Sequence, residues 1–340
     1  MLSTHLIDFD NIIFNIQRFG GASTYWRELT ARVTTSLPGE VVFSTGTVRS
    51  RLVRPKSAAR IFHSSHFRVS RSKQTQNVVT IHDLIYEKRM VGGIGAAVNL
   101  FERRRAVINA DAIICISEST KRDMLEYYGR HVATKPVCVI HHGCDNFSAA
   151  GAASIEGTAP SPRGGQSPYF IYAGGRTGYK NFDVALRAFA AGGFAARGIQ
   201  LICTGAAFSA SEMTLIQSLR LESSVKAIGT VTSAALGGLY GGALALLYPS
   251  SYEGFGLPPL EAMASGCPVI CSASSSLPEV VGDAGLLAEA SSVDSFEDAM
   301  RRFTDENVRA EFIERGYARA AIFTWDKSAE NHMRFYKTLA

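Results

Sequence analysis

Short apolar runs alternate with segments of helical periodicity along most of the chain. Within each run, consecutive positions are apolar, which is typical of strands in a parallel sheet whose two faces are both covered. These runs are 76–84, 110–117, 135–143, 169–175, 199–205, 225–231, 243–250 and 268–273. The alternation of strands and helices predicts an α/β protein.

Most of the segments between these runs have apolar residues at helical spacing. The segments are 24–33, 98–110, 119–129, 181–191, 211–221, 233–242 and 258–266. A further helix is predicted after Trp325.

The grouping of these elements predicts two domains. Residues 148–168 separate the groups and are rich in Ala, Gly, Ser and Pro, as linkers are. We predict Rossmann-like parallel-sheet domains over 1–150 and 168–322, a linker over 151–167 and a C-terminal helix within 323–340. Ligands are expected at the carboxyl ends of the strands and in a cleft between the domains.

The composition of the 340 residues narrows the class of protein. Hydrophobic residues make up 46% and charged residues 19%, a balance that excludes disorder. No run approaches the roughly 20 apolar residues of a membrane span, and the N-terminus carries acids where a secretory signal is basic. We therefore expect a cytoplasmic protein with reduced cysteines and no metal. A metal site at His141, His142 and Cys144 is the weaker alternative, since the cysteines lack zinc-site spacing.

Positive charge is concentrated in the first half of the chain. Residues 1–150 have a net charge of +8 and residues 151–340 a net charge of −3. No acid occurs between Val41 and His82, a stretch with eight cations: Arg49, Arg51, Arg54, Lys56, Arg60, Arg68, Arg71 and Lys73. This stretch is either a solvated face or a surface for anionic lipid or phosphate. Nucleic acid is not expected, because no nucleic-acid-binding motif accompanies the charge.

Two carboxylates flank a glycine-containing turn after the strand at 243–250. Glu253 is at the end of that strand, and Glu261 follows eight residues later in the next helix. Gly254 and Gly256 allow backbone amides to approach a ligand, and a helix N-terminus favours phosphate. The carboxylates suit vicinal sugar hydroxyls. The alternative is a helix cap and a surface charge.

Two further loops carry glycines beside strand or helix ends. Gly174 and Gly175 end the run at 169–175, and Arg176 and Lys180 then offer cations to a phosphate group. Gly20–Gly21 precede the helix at 24–33, where glycines allow close approach to phosphate or acceptor. In both loops the alternative is a turn without ligand.

His82 and Asp83 end the strand at 76–84, and Ser117 follows the strand at 110–117. Alone, a histidine at a strand end is most often a structural hydrogen-bonding group. Asp83 suits a hydroxyl group of a ligand. Ser117 is predicted to cap the next helix.

Several of these segments together resemble one enzyme family. EGFGLPPLEAMASGCPVICS, with Glu253 and Glu261, resembles the E-x7-E motif of retaining glycosyltransferases of family 4, which have the GT-B fold. NIIFNIQRFGGASTYWREL, TIHDLIY, ICISESTKRDM, YAGGRTGYKNFDVALRAF and SLPEVVGDAGLL resemble other segments of that family, in the same order along the chain.

The resemblance implies roles for individual residues. It implies that Glu253, Gly254, Phe255, Gly256, Leu257 and Glu261 bind the donor, with Gly20, Gly21, Gly175, Arg176 and Lys180. Backbone groups near Thr230 and Val231 are expected to contact the nucleobase. It also implies a catalytic role for His82, Arg176, Lys180 and Glu253, and acceptor binding by Asp83 and by Ser117, whose turn lies near the cleft in that family. The C-terminal helix would brace the first domain; a simple surface helix is the alternative.

The implied activity is that of a retaining hexosyltransferase using a nucleotide sugar without a metal cofactor. Two segments, FNIQRFGGASTYW and TIHDLIY, look most like bacterial polysaccharide and lipopolysaccharide enzymes that use GDP-mannose. The acceptor would be a glycan or lipid-linked glycan, with the basic first domain peripheral on the inner face of the cytoplasmic membrane. UDP-sugar donors, a GT-B sugar-nucleotide epimerase and a non-catalytic glycan-binding relative remain open alternatives.

Overall fold

Two six-stranded parallel sheets form at the apolar runs. The computed structural model describes residues 5–18, 20–145, 147 and 167–339. Within these residues the strands are β1 Ile7–Asp10, β2 Val41–Ser44, β3 Ile61–Ser64, β4 Gln76–Ile81, β5 Ala112–Cys115, β6 Val137–Val139, β7 Tyr169–Tyr172, β8 Gln200–Cys203, β9 Val225–Ala227, β10 Leu246–Tyr248, β11 Val269–Ser272 and β12 Leu286–Ala288. The α/β prediction is confirmed.

The helices lie between the strands. They are α1 Ile13–Ile16, α2 Gly21–Ser36, α3 Ile94–Asn109, α4 Glu118–Val132, α5 Phe182–Ala191, α6 Ala210–Ser218, α7 Ser233–Gly242, α8 Leu257–Ala264, α9 Leu277–Val281, α10 Val293–Arg302, α11 Glu306–Ala320 and α12 Trp325–Leu339.

The chain divides into two compact units. Unit 1 comprises Met1–Gly143 and Thr324–Ala340, and unit 2 comprises Cys144–Phe323. The division falls before the predicted boundary at residue 150. The predicted linker, 151–167, lies outside the described residues except for its last position.

The order of strands in each sheet reverses at one point. In unit 1 the order is β2-β1-β3-β4-β5-β6, so the chain leaves β1 toward β2 and then continues from β3 toward the other edge. In unit 2 the order is β12-β11-β10-β7-β8-β9, and the reversal falls between β7 and β10. Ligands of open parallel sheets bind at the carboxyl ends of the strands beside such a reversal.

Four strands escaped the sequence pattern: β1, β2, β3 and β12. Strand β1 reads Ile-Asp-Phe-Asp, yet all four residues are buried. Its two carboxylates accept hydrogen bonds from serines of the neighbouring strands, Ser44 to Asp8 at 2.8 Å and Ser64 to Asp10 at 3.1 Å. Polar residues that are paired across strands remove the continuous apolar run by which a buried strand is identified.

Helix α12 completes the core of unit 1. Trp325 and Tyr336 belong to the same buried cluster as Trp26 of α2. Two side chains of α12 also form hydrogen bonds to buried polar groups of unit 1: His332 Nε2 lies 2.8 Å from Tyr25 Oη, and Tyr336 Oη lies 2.5 Å from His63 Nδ1. The last helix of the described chain is therefore an integral part of unit 1.

Candidate functional site

The strand reversal of unit 2 brings two predicted loops to one edge of its sheet. The loop after β7 carries Lys180, and the loop after the neighbouring strand β10 carries Glu253. Asn181 connects the two loops because its Nδ2 donates to Pro249 O at 3.0 Å and to Ser251 Oγ at 2.6 Å. Lys180 and Glu253 are far apart in the sequence, yet both lie at the edge where an open parallel sheet binds its ligand.

Asn181 itself was not predicted as a site residue. It adopts a left-handed conformation, with φ of 48°, at the start of α5. Asparagine tolerates this region better than most residues, and its side chain also donates to Ala290 O at 3.2 Å. The sequence feature that could have identified Asn181 is its position directly after Lys180, at the start of a predicted helix.

Lys180 and Glu253 form an ion pair in this site. Their Nζ and Oε1 atoms are 2.5 Å apart, and the side chains are 19% and 13% exposed. Tyr248, the last residue of β10, lies beside them with its hydroxyl 3.4 Å from Lys180 Nζ. The pair is thus largely desolvated, yet partly open to a ligand.

Two serines of the loop after β11 hold the glycine-containing turn in place. The backbone N–H of Glu253 donates to Ser275 Oγ at 2.8 Å. Ser276 Oγ donates to the carbonyls of Glu253 and Phe255 at 2.9 and 2.7 Å. Since these contacts involve backbone atoms of the turn, they fix the turn whatever side chains it carries. Neither serine was predicted as a site residue, because no sequence motif marks them.

Gly256 and two prolines shape the N-terminus of α8. Gly256 has φ of 112°, where a Cβ atom would lie 2.8 Å from Leu277 Cδ2. Pro258 and Pro259 have no N–H, so the amides that this helix end can direct at an anion belong to Gly256 and Leu257. Leu257 begins the helix, whereas the Phe255 ring is buried and packs edge-on against Phe323. Phe255 can therefore meet a donor only through its backbone.

Glu261 is a carboxylate without a partner. Among the described residues none forms a hydrogen bond or ion pair with its side chain. Burial raises its pKa from 4.5 to about 7. Glu261 itself is half-buried. Burial and the nearby charge of Glu261 both raise the pKa of Tyr240, whose hydroxyl is buried without a hydrogen bond to any described residue. An acceptor of hydrogen bonds is therefore available here at neutral pH.

Arg176 does not have the environment predicted for a phosphate-binding residue. Its guanidinium donates to Glu212 Oε1 at 2.9 Å and to the carbonyls of Thr204, Ala206 and Ala207 at 3.2, 2.5 and 2.9 Å. The side chain is only 6% exposed. Four of its five N–H groups are used within the protein, so in this structure Arg176 organises the loop after β8.

Glu212 secures that arrangement from α6. Burial alone would raise its pKa, but hydrogen bonds from the Ser209 backbone and from Arg176 outweigh burial and lower it. Glu212 also completes a capping box with Ser209 at the start of α6. Arg176 is thus tied to a helix that is itself firmly capped.

The remaining donor residues of unit 2 lie on exposed turns. Gly175 is exposed, and Gly174 before it has φ of 111° with no atom within 4 Å of a would-be Cβ. Thr230 and Val231 follow β9, where Thr230 is exposed and Val231 half-buried. The bond from Gly205 N to Gly229 O, 2.9 Å long, joins the turns after β8 and β9. A base-binding role for Thr230 and Val231 stays a prediction.

In unit 1, the glycine pair forms the start of α2. Gly20 is its N-cap with φ of 135°, and Gly21 is the first helical residue. Few residues other than glycine adopt this φ. The close approach of a ligand that was predicted for Gly20 and Gly21 stays a prediction.

His82 and Asp83 follow β4 with their side chains partly exposed. Burial lowers the pKa of His82 to about 4, so its imidazole is neutral at pH 7. Its ring packs against Tyr25 and His142, with centroid distances of 5.1 and 5.8 Å. A neutral ring can exchange hydrogen bonds with a sugar hydroxyl but carries no charge.

Asp83 is oriented by an arginine that was not predicted. Arg103 of α3 donates to Asp83 Oδ1 at 3.2 Å and to its carbonyl at 2.6 Å. Arg103 also pairs with Glu87 at 2.7 Å. Asp83 Oδ2 has no protein partner among the described residues, which leaves one carboxylate oxygen for an acceptor hydroxyl.

Ser117 caps α4, as its sequence position predicted. Its Oγ accepts from Thr120 N at 2.9 Å and donates to Thr120 Oγ1 at 3.0 Å. The residue is 0% exposed. The acceptor-binding assignment is therefore replaced by a structural one, because neither the hydroxyl nor any other atom of Ser117 reaches the surface.

The acid-free stretch from Val41 to His82 is not a single solvated face. Arg68 is 4% exposed and lies 3.4 Å from Asp10, while Arg51 pairs with Glu102 of α3 at 2.5 Å. The other six cations are exposed. Charge counting alone could not separate the two internal arginines from the surface ones.

Neither a metal cluster nor a membrane span is found in the part of the chain that the structure describes. There, no three His, Cys, Asp or Glu side chains are grouped as metal ligands would be. Likewise, none of the described helices combines the length and apolarity that a bilayer span requires.

Each unit has the strand reversal that is typical of nucleotide-binding α/β folds. Comparison with protein families identifies the class of protein. The model for glycosyl transferases group 1 matches residues 158–319, and that for glycosyltransferase family 4 matches residues 38–146. The chain belongs to the group 1, family 4 glycosyltransferases. The resemblance of the sequence motifs to this family is confirmed.

Curated relatives include polysaccharide enzymes. O-antigen chain mannosyltransferase B of Escherichia coli is 43% identical over 116 residues, covering 34% of this chain and 30% of the relative. O-antigen chain mannosyltransferase RfbU of Salmonella typhimurium is 35% identical over 101 residues, 30% of this chain and 29% of the relative. The chain thus spans less than a third of the length of either mannosyltransferase.

Solved structures match nearly the whole chain. Sucrose-phosphate synthase from Thermosynechococcus elongatus has a TM-score of 0.76 at 19% identity, covering 98% of this chain and 99% of that one. WaaG, a glycosyltransferase involved in lipopolysaccharide biosynthesis, has a TM-score of 0.73 at 15% identity, covering 96% and 98%. These matches establish the GT-B fold predicted from the sequence.

Proposed function

We propose that the protein is a retaining hexosyltransferase that moves a sugar from a nucleotide sugar to a glycan or lipid-linked glycan. The observation that carries the proposal is the site at the strand reversal of unit 2. There, one carboxylate is paired with a lysine, and a second carboxylate, Glu261, has no partner among the residues that the structure describes. Such a site offers a cation for phosphate and an acceptor for sugar hydroxyls in one place.

The donor is proposed to bind through three sets of groups. Lys180 and the amides of Gly256 and Leu257 receive the diphosphate, with Arg176 as a positioning residue that holds the loop after β8. Glu261 accepts hydrogen bonds from the two ribose hydroxyls, and Glu253 accepts from the transferred sugar. Glu261 is assigned to the ribose because the ribose offers two neighbouring hydroxyl donors and this carboxylate has no partner among the described residues.

GDP-mannose is the favoured donor. Two O-antigen mannosyltransferases are among the relatives, and the first segments of the sequence resemble enzymes that use it. A UDP sugar is the alternative, since a structural neighbour, Anabaena HepE, was solved with UDP and glucose. That neighbour is only 14% identical, so it supports the fold rather than the base.

The proposed transfer retains configuration without a covalent enzyme intermediate. The acceptor hydroxyl attacks the anomeric carbon on the face from which the diphosphate leaves, and a diphosphate oxygen takes the hydroxyl proton. Lys180 and the turn amides stabilise the charge that develops on the leaving group, so no metal is assigned. In unit 1, Asp83 is proposed to bind the acceptor and His82 to hydrogen-bond a sugar hydroxyl.

A nucleotide panel and one matched variant pair test the proposal. GDP is expected to raise the melting temperature, and GDP-mannose to be hydrolysed slowly in the absence of acceptor. Lys180→Met removes the cation and is expected to lower the hydrolysis rate by at least about a hundredfold. Lys226→Met, which removes an exposed lysine from β9, is the control and should leave the rate unchanged.

The outcomes separate the alternatives. Stabilisation by UDP and not by GDP would replace the favoured donor while keeping the transferase. Equal hydrolysis by the Lys180→Met variant would contradict the assigned role of Lys180. Failure of every nucleotide sugar to bind or react would contradict the proposed activity as a whole.

A further inference from the structure

A groove of about 850 Å³ lies beside helix α2 in unit 1. Its walls carry two aromatic rings, Phe14 of α1 and Phe43 of the edge strand β2, and two cations, Arg18 and Arg27. Its floor consists of threonines of α2. The groove has the size of a ligand site and is here called the α2 groove.

The floor of the α2 groove offers acceptors of hydrogen bonds. Thr30, Thr34 and Thr35 line it and lie on one face of α2, because they are spaced four and five positions apart. Thr30 and Thr35 donate their hydroxyl protons to carbonyls one turn earlier in the helix, at 2.8 and 3.0 Å. Thr34 Oγ1 is buried and has no hydrogen-bond partner among the described residues. A hydroxyl that donates within its own helix keeps its lone pairs, so the floor can receive protons from ligand hydroxyls.

Phe43 provides a ring that is held on one face and open on the other. The ring of Phe9, a core residue, stacks on it with a centroid distance of 6.1 Å and an interplanar angle of 29°. Phe43 nevertheless remains 46% exposed. A fixed ring with an open face is a platform that loses little conformational freedom when a ligand packs on it.

Phe14 supplies a second ring on the other wall. The guanidinium carbon of Arg27 lies 5.9 Å from its centroid, within the range of a cation–π contact. Helix α1, which carries Phe14, is tied to the loop after β2, because Asn15 Nδ2 donates to Gly46 O at 2.7 Å. Both walls of the groove are therefore in place without a ligand.

The α2 groove starts at the edge of the sheet that carries Asp83. Phe14 follows the end of β1 and Phe43 is the last residue but one of β2, while Asp83 follows the end of β4. The order β2-β1-β3-β4 separates β2 from β4 by three strand spacings, which is about 14 Å. A ligand held at Asp83 therefore reaches the groove only if it is a chain of several units.

The side chains of the α2 groove favour a sugar over two simpler ligands. An acyl chain would leave the arginines and threonines without hydrogen-bond partners, and inorganic phosphate would make no use of the rings. A hexose has hydroxyls that donate to threonine oxygens and accept from guanidinium groups, and it has C–H groups that pack on an aromatic face. All three kinds of side chain are then used at once.

We infer that the α2 groove binds the distal sugars of the acceptor, so that the acceptor is a chain of several hexoses held at its reacting end by Asp83. The inference rests on the proposed function, in which Asp83 binds the acceptor. Phe43 and Phe14 pack against the distal sugars, and Arg27 donates to their hydroxyls. Length of the glycan is thereby recognised within unit 1, apart from the donor site of unit 2.

Isothermal titration of the full chain with two linear α-linked mannose oligosaccharides tests the inference, since mannosyltransferases are among the relatives. Titration without a donor measures binding independently of transfer. Mannohexaose is expected to bind about tenfold more tightly than mannobiose, because only the longer chain reaches the groove. Asp83→Asn should weaken the binding of both.

Two groove variants and a matched control locate the binding. Phe43→Ala should weaken mannohexaose binding about tenfold, and Arg27→Gln about fivefold, while neither changes the affinity for mannobiose. Arg27 is exposed, so its variant keeps the test valid if Phe43→Ala fails to fold. Phe101→Ala removes a 58% exposed ring elsewhere in unit 1 and should bind both oligosaccharides like the unchanged protein.

Hydrolysis of GDP-mannose without acceptor, measured in parallel, should be the same in the unchanged protein and in the Phe43→Ala and Arg27→Gln variants. Equal affinities for mannohexaose and mannobiose, or no binding of either, would overturn the inference. Unchanged binding of mannohexaose by Arg27→Gln and by folded Phe43→Ala would overturn it too. Intact, length-dependent binding with no hydrolysis of any nucleotide sugar would instead contradict the proposed transferase.

Discussion

Replacing Glu261 by Gln is expected to raise the stability of the protein above pH 7 and to lower its affinity for nucleotide. Burial raises the pKa of Glu261 from 4.5 to about 7, so the native state keeps a proton that the unfolded chain has lost over that range of pH. Stability therefore falls as pH rises from 4.5 through 7. At about 1.4 kcal/mol per pKa unit, the native state loses about 3 kcal/mol once Glu261 ionises.

A glutamine cannot ionise, so the variant avoids this loss. Its stability relative to the unchanged protein should rise by about 3 kcal/mol between pH 4.5 and pH 8. For a unit of this size, that corresponds to a melting temperature higher by about 6–12 °C at pH 8. The same variant should bind GDP about 10–100-fold more weakly, because a charge-assisted acceptor of two ribose hydroxyls becomes a neutral amide.

Thermal unfolding across pH 4.5–8 and isothermal titration with GDP measure both effects. Glu289→Gln, at an exposed carboxylate of unit 2, is the control and should show neither. A stability difference between the Glu261→Gln variant and the unchanged protein that does not vary with pH would refute the assigned ionisation. Undiminished affinity for GDP would refute the assigned ribose contact.

Three other substitutions separate structural from catalytic roles. Arg176→Ala should destabilise unit 2 by about 3 kcal/mol, since it removes four hydrogen bonds and the ion pair with Glu212; denaturant unfolding that shows full stability with lost turnover would restore the phosphate-binding role. Burial lowers the pKa of His332 to about 4, so stability should fall as pH drops from 6.5 to 4, and His332→Asn should reduce that slope by about 1.4 kcal/mol per pH unit in acid unfolding; an unchanged slope would contradict it. Gly256→Ala should cost about 1–3 kcal/mol more than Gly174→Ala and weaken GDP binding, because both share the backbone strain but only the first adds a clash with Leu277; equal losses in the same assays would contradict the steric argument.

Much of the fold follows from the sequence because strands buried on both faces leave an uninterrupted apolar run. The eight strands β4–β11 all fall within such runs. Strand β1 escaped because its polar side chains, Asp8 and Asp10, find partners across the sheet. Such pairing depends on which strands become neighbours in the fold, and the pattern of residues along one strand does not show this.

The loops of the candidate site were predictable as loops, but the environment of each side chain was not. Lys180, Glu253 and Glu261 occur in motifs whose spacing indicates a ligand. Arg176 belongs to the same motif, yet the carbonyls that engage it come from a loop some thirty residues away. Whether a cation meets a phosphate or a carbonyl depends on such distant contacts.

The contribution of α12 to unit 1 has a consequence for the order in which the protein folds during synthesis. Unit 2 is an insertion whose two ends are neighbours, since Cys144 N donates to Phe323 O at 3.1 Å. Unit 2 has all of its residues once Phe323 has left the ribosome. Unit 1, although synthesis begins with it, lacks Trp325, His332 and Tyr336 until α12 emerges. The domain started first is therefore the one finished last, and its incomplete core has to be kept from aggregating while the inserted unit folds.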